Sequence, residues 1–425
     1  MATHRWNGWT RATGPREPMP VIARGRGCHV WDVDGRRYLD GVAGAANTPF
    51  GHAHPVLTAA ITTQLTRIAH MDETLAALEP ADALMPALGA LTGMHDIVLT
   101  GSGSEAIEAA LRITMDYWHA RGDTGRDTVI AFTRGYHGCT ATAQALSGLP
   151  VLHTDWAHAP RVHHVDLTAV HHPDHPGATG ALADAFATAL DLAGRDRVAA
   201  VIVEPFLYVG GGIVLPPGLL TALQHLTTTA GCLLIVDEVF TGFGRCGGTG
   251  FATAALPRPP DILTISKGMT GGTIPMGATC LRAGIRDRFG DTVLRYGHTT
   301  SGHGLAAAAA LATAGLLTDS GLTDAATTAN WFTTCFRPAF AAAPGIREAR
   351  TYGVTGVLDC GTAAHADAIA AAALTRGLIA GREHTAVVLT PALTATTGEL
   401  DQMAALLHDA VEHTTPDHTR SERPA

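Results

Sequence analysis

Lys267, in the run DILTISKGMTGG, is the only lysine in the 425-residue chain, and every other basic side chain among its 29 Lys+Arg residues is arginine. Guanidinium stays protonated, whereas a desolvated ammonium can lose its proton and become a nucleophile. An amine kept in an otherwise arginine-only chain therefore points to carbonyl chemistry, where a free amine forms an imine. Asp237 ends the apolar run of CLLIVDEVFTGFGR. A carboxylate buried there needs a cation or a strong donor, which a protonated pyridine nitrogen or a structural ion pair would provide. In DIVLTGSGSEAIEAA a Gly/Ser loop opens a helical pattern. The backbone N–H groups near Ser102, Gly103 and Ser104 then form either an anion site suited to phosphate or an ordinary capped helix. Tyr136 and His137 follow another apolar run in AFTRGYHGCT, where the aromatic ring can stack on a flat ligand or simply pack.

These groups need elements to hold them. From about residue 55 to 320, amphipathic stretches such as GSEAIEAALRITMDYWHARG alternate with the short apolar runs DIVLT, TVIAFT, VAAVIVEP, CLLIVDEV and DILTIS. Runs of that length bounded by turns suit buried parallel strands, and their alternation with helices predicts a large, doubly wound, mostly parallel α/β sheet. Residues 1–54 contain HVWDVDGRRYLDG, a hairpin pattern around Asp-Gly. Residues 321–425 read as an Ala/Thr-rich helix, the strands GVTGVLDC and AVVLTP, and a closing helix near GELDQMAALLHDAVEH. Both chain ends are thus expected to form a smaller α+β domain, with a frayed tail TTPDHTRSERPA. Open α/β sheets bind ligands at the carboxyl ends of their strands, where all four candidate groups fall. An amine, a phosphate cradle, an acid for a ring nitrogen and a stacking aromatic together match pyridoxal 5'-phosphate (PLP).

Other readings fare worse. The formal net charge of −9, with scattered arginines, argues against nucleic acid or an anionic membrane as partner. No uninterrupted apolar run reaches about 18 residues, and the start MATHRWNGWTRATG lacks an apolar signal core, so a cytoplasmic protein is expected. Seven dispersed cysteines without CxxC spacing suggest neither disulfides nor zinc. HTDWAHAPRVHHVDLTAVHHPDHP holds seven histidines, but its one i, i+4 pair, His171 and His175, is broken by Pro173; it reads as a solvated connector, and no metal is expected. GFGRCGG fits GxGxxG, yet the Gly- and Pro-broken sequence after it cannot open a dinucleotide-binding helix.

YLDGVAG, GHAHP, GSGSEA, GYHG, VEP, VDEVFTGFGR, SKGMTGG and HTTSGH occur in an order and at spacings that resemble the class III (omega-type) aminotransferases of PLP fold type I, from about residue 20 to 413. The resemblance implies Lys267 as the Schiff-base lysine and Asp237 as partner of the pyridinium nitrogen. It implies Gly103 and Ser104 at the phosphate, Tyr136 on one face of the ring and Val239 on the other. It implies a homodimer with shared active sites, in which Thr299 reaches the partner subunit's phosphate. Glu204 is either a support behind the cofactor or a structural acid. Val209 stands where relatives carry a glutamate that pairs with a switchable arginine. Ala45 and Ala46 replace bulkier residues, which suggests either a roomier pocket or a repacked wall. Arg382 lies near the position where relatives bind a donor carboxylate, about two residues out of register. The function implied is transfer of an amino group from an amino-acid donor to an aldehyde or ketone, plausibly a bulky specialised-metabolism intermediate. Epimerase, aminomutase or decarboxylase chemistry on the same fold is the alternative, and a non-catalytic binder would need neither Lys267 nor Asp237.

Overall fold

The structure, a computed structural model, describes residues 19–153, 160–167 and 177–414. The first segment supplies β1 (Ile22–Arg26), β2 (His29–Asp32) and β3 (Arg37–Asp40). The central region supplies β4 (Asp96–Thr100), β5 (Thr128–Phe132), β6 (Arg161–Val165), β7 (Val198–Val203), the short pair β8 (Phe206–Leu207) and β9 (Ile213–Val214), β10 (Leu233–Asp237), β11 (Ile262–Ile265) and β12 (Gly277–Leu281). The C-terminal region supplies β13 (Glu348–Thr351), β14 (Gly356–Asp359), β15 (Leu378–Ile379), β16 (Gly381–Glu383) and β17 (Ala386–Leu389).

All five apolar runs of the central region are strands of one seven-stranded sheet, ordered β4-β12-β11-β10-β7-β5-β6. The neighbours β6, β5, β7, β10 and β11 pair in parallel. Their residues alternate between two cores. Val201, Val203, Leu234 and Val236 face the helices Ala178–Ala193 and Leu219–Ala230 in one cluster. Ala200, Ile202, Leu233 and Ile235 face the helix Gly103–Ala120 in the other. Burial on both faces is why these runs are apolar throughout rather than alternating. Two strands of this sheet escaped the sequence reading. β12 runs antiparallel between β11 and β4, its Gly-Ala-Thr start too small to read as a core strand. β6 lies inside the histidine-rich stretch, so His163 and His164 belong to a strand beside β5 rather than to a connector. His171 and His175 lie outside the described residues.

The chain ends meet where β3 pairs in parallel with β15, Leu39 opposite Leu378. A second small sheet, β13-β14-β17-β16, completes this part of the molecule. The boundary expected at residue 320 falls inside a 37-residue helix, Gly304–Phe340, which therefore belongs to both regions. Among the described residues this helix alone is long and apolar enough to cross a membrane. Its apolar stretch packs on the helices Pro55–Arg67 and Glu79–Thr92.

Arg245 ties the two regions together. It is 2% exposed, and its Nη1 donates to the carbonyls of Val354 (3.0 Å) and Pro391 (2.6 Å). Burial lowers its pKa to about 10. Replacing it strands two buried carbonyls, each costing about 1–3 kcal/mol. Arg245→Leu is expected to lower stability by about 2–4 kcal/mol, read as a fall in Tm or in the denaturant midpoint.

Candidate active site

Because the parallel strands end on one edge, their C-terminal residues converge there. β10 delivers Asp237, which is 4% exposed. Its Oδ2 lies 2.8 Å from His137 Nδ1, while Oδ1 accepts from Val239 N (3.0 Å) and Thr264 Oγ1 (3.3 Å). β11 runs into Ser266 and then Lys267, whose backbone is held at φ +38°. β4 leads into the helix Gly103–Ala120, where Ser102 Oγ accepts from Glu105 N (3.2 Å) and Glu105 Oε2 reaches back to Gly101 N (2.7 Å). That reciprocal cap leaves the first-turn N–H groups of Gly103 and Ser104 without an intrahelical acceptor. β5 leads into Tyr136, whose N–H donates to Glu204 Oε1 at the end of β7 (2.8 Å). Gly138 follows at φ +131°, and a Cβ there would come within 2.6 Å of Ser104 Oγ. The loop can approach the helix only as glycine.

These residues enclose a cavity of about 190 Å³ lined by Ser102, Gly103, Ser104, Tyr136, His137, Asp237, Val239 and Lys267, together with Glu204, Tyr208, Val209 and Phe240. A second space of about 360 Å³ shares Ser102, Gly103, Ser266 and Lys267 with it, and adds Gly44, Ala45 and Asn47. Ala45 belongs to a left-handed turn in which Ala43, Gly44, Ala45 and Ala46 have φ between +46° and +63°. Left-handed backbone costs an alanine about 1–2 kcal/mol. Asp40 anchors the turn, accepting from Val42 N and Gly44 N (both 3.0 Å) and lying 2.7 Å from His52 Nε2.

Two expected residues lie elsewhere. Thr299 is exposed and lines neither space of its own chain. Arg382 is exposed too, with Nε on Asp367 Oδ1 at 2.5 Å, so it is not a cavity residue. Strand alternation explains this: on β16 the odd positions face inward, and the acid Glu383 takes the side that the sequence reading gave to Arg382.

Electrostatics mark the site as well. Burial lowers the Lys267 pKa from that of an ordinary lysine, while Asp237, Glu204 and Glu383 pull it back up. Burial, then the charge of Asp237, raises Glu204 well above the carboxylate range. Burial pushes Glu383 up to about 7, with Lys267 opposing, and Tyr136 up to about 12.

The residues fit PLP. A Cβ on Gly103 would sit 3.0 Å from Val239 Cγ1 and 3.3 Å from Ser266 Cβ, so the floor of the cradle has no room for a side chain. The amine of Lys267, the helix N-terminus at Gly103 and Ser104, and the acid Asp237 line one cavity with the Tyr136 ring, matching the four features of the cofactor.

Lys267→Ala is expected to lose the PLP absorbance adduct and to lower turnover by several orders of magnitude. The wild-type adduct should persist to lower pH than one formed by free lysine, because the lowered pKa leaves more neutral amine at any given pH. Asp237→Asn should still form the adduct but lower kcat by about 100-fold or more, since an amide cannot hold the ring nitrogen protonated. Absorbance titration and steady-state kinetics test each expectation.

Comparison with known proteins agrees with this geometry. Residues 11–411 match the sequence profile of the family described as aminotransferase class-III. An acetylornithine aminotransferase of Mycobacterium tuberculosis is 37% identical over 308 residues, covering 72% of this chain and 70% of the relative. An adenosylmethionine-8-amino-7-oxononanoate aminotransferase of Anoxybacillus flavithermus is 34% identical over 330 residues, covering 73% and 70%. A PLP-bound amine transaminase from an uncultivated Pseudomonas species superposes with a TM-score of 0.90 at 30% identity, over 97% of this chain and 98% of that one. A cavity that pairs a desolvated lysine with a strand-end aspartate, on a fold shared along almost the whole chain, identifies this protein as a PLP-dependent member of the class III aminotransferases.

Proposed function

We propose that this aminotransferase moves an amino group from an amino-acid donor to a bulky aldehyde or ketone, of the kind met in specialised metabolism, and that it works as a homodimer. The observation that carries the acceptor reading is the 360 Å³ space beside Lys267, whose wall at Gly44 and Ala45 offers at most a methyl group.

When bound, PLP supplies an electrophilic aldehyde and an electron-withdrawing ring. Lys267 Nζ, made less basic by burial, would take the proton from the donor carbon that bears the amine and pass it to the cofactor, and would carry a proton in the opposite direction when the acceptor is bound. Asp237 would face the ring nitrogen, fixed by His137, Val239 N and Thr264 so that it need not reorganise. Glu204 holds the Tyr136 backbone and thereby the aromatic wall. The dimer reading rests on Thr299, exposed and outside its own cavity, where it is free to reach the partner's phosphate cradle.

Ala45→Asn, which the left-handed backbone tolerates, should lower kcat/KM for a ring-bearing ketone by about 10-fold relative to pyruvate, because it narrows the second space; an unchanged ratio would sink the bulky-acceptor reading. Thr299→Ala should weaken PLP binding. In mixed dimers of Lys267→Ala and Thr299→Ala subunits, one of the two sites keeps both residues. Activity that fits a simple sum of the two parents would refute the shared site, as would a monomer in sedimentation.

A further inference from the structure

Thr299 stands in a stretch that has no helix or strand of its own. Residues 290–303 join the short turn Arg286–Phe289 to the helix that begins at Gly304. A connection that long and irregular keeps one shape only where side chains pin it. Leu294 supplies an apolar pin, packed on the cluster beneath the helix Gly103–Ala120. Two residues on, Tyr296 Oη donates to the carbonyl of Glu105 in the first turn of that helix (2.7 Å). Burial, then the charges of Glu105 and Glu108, raise the pKa of this phenol, so it remains a donor.

The single phenolic proton is taken up by that bond. The contact of Tyr296 Oη with His298 Nε2 at 3.1 Å is therefore an N–H donated by the imidazole. The two rings meet edge to face with centroids 5.1 Å apart, and His298 Nδ1 lies 3.9 Å from Glu105 Oε1. His298 then opens a turn. Ser301 N donates to His298 O (3.0 Å), His298 N donates to Ser301 Oγ (3.2 Å), and Ser301 is buried. Thr299 and Thr300 are the two central residues of this turn, both exposed. Glu105, on which the turn is docked, also caps the helix, its Oε2 accepting from Gly101 N (2.7 Å) beside Gly103 and Ser104. One helix N-terminus thus forms the phosphate cradle of its own chain and carries the turn that holds Thr299.

We infer that Tyr296, supported by His298, is a positioning residue that fixes the Thr299 turn where it reaches the partner subunit's phosphate, so that loss of the Tyr296 hydroxyl weakens cofactor binding in the opposite subunit. The inference rests on the shared-site reading and adds the group that makes the reach definite. Tyr296 lines neither space at its own site, so its influence on PLP affinity passes through the turn.

The test uses mixed dimers in which one chain carries Lys267→Ala, so that the absorbance of the PLP adduct reports only the site with an intact lysine. Tyr296→Phe placed in the Lys267→Ala chain, opposite a wild-type chain, should raise the Kd for PLP about 3- to 10-fold, the loss of one hydrogen bond behind a phosphate contact. Placed in the chain with the intact lysine, it should leave the Kd within about 2-fold of the unsubstituted pair. Thr299→Ala should show the same asymmetry, and Tyr296→Phe added to a chain that already carries Thr299→Ala should change the Kd by less than about 2-fold, because the two residues act in one line. His298→Gln, which keeps an N–H donor, should weaken binding less than His298→Ala. A general folding defect would weaken both arrangements alike, so the asymmetry separates positioning from a merely structural role. Where Thr299→Ala acts across the interface, weakening by Tyr296→Phe in the intact-lysine chain, weakening that adds in full to that of Thr299→Ala, or no weakening in either arrangement overturns the inference and leaves the shared site standing. Thr299→Ala without the asymmetry overturns both.

Discussion

A primary amine can attack a carbonyl only after it has lost its proton, and the surest way to remove that proton near neutral pH is to remove water. The structure does this to Lys267, yet surrounds the same amine with Asp237, Glu204 and Glu383, whose charges favour the protonated form. Burial is the larger influence. The result is an amine less basic than that of an ordinary lysine, which suits a group that must first bond to carbon and later carry a proton. Almost every other feature of the fold serves this balance. The parallel strands end on one edge, and their apolar interiors let those ends be dry.

Rigidity around the amine comes from groups that have no chemistry of their own. Arg245 reaches from the central region to two carbonyls of the C-terminal region. Glu238, next to Asp237, accepts from Thr241 Oγ1, Ala252 N, Thr253 N and Thr253 Oγ1 at 2.7–2.8 Å. A buried carboxylate with all its lone pairs engaged fixes the chain on both sides of it. Asp40 does the same for the wall opposite, where it anchors the left-handed turn.

The part of the site built on strand ends was legible in the sequence. Lys267, Asp237, Tyr136 and the Ser102–Ser104 loop each follow an apolar run, and one buried edge explains both the runs and the residues after them. What was not legible depended on pairing. β12 is too rich in small residues to announce itself, and β6 carries polar histidines because it is an edge strand with a single neighbour. Arg382 and Glu383 are adjacent, and only the pairing of β16 with β17 decides which of them looks inward. A shift of one residue inverts the answer. Thr299 lines neither space of its own chain.

The turn at residues 43–46 sets the terms on which the wall of the second space can diversify. With every φ there positive, β-branched side chains are excluded by their own backbone, while glycine, asparagine and aspartate fit with least strain. Natural drift or directed evolution at Ala45, the one alanine of this turn that lines the second space, is thereby confined to a narrow alphabet. Within it, a substitution to asparagine can add a polar handle to the pocket and relax the fold at once, so at this wall new selectivity and greater robustness can be gained together rather than traded.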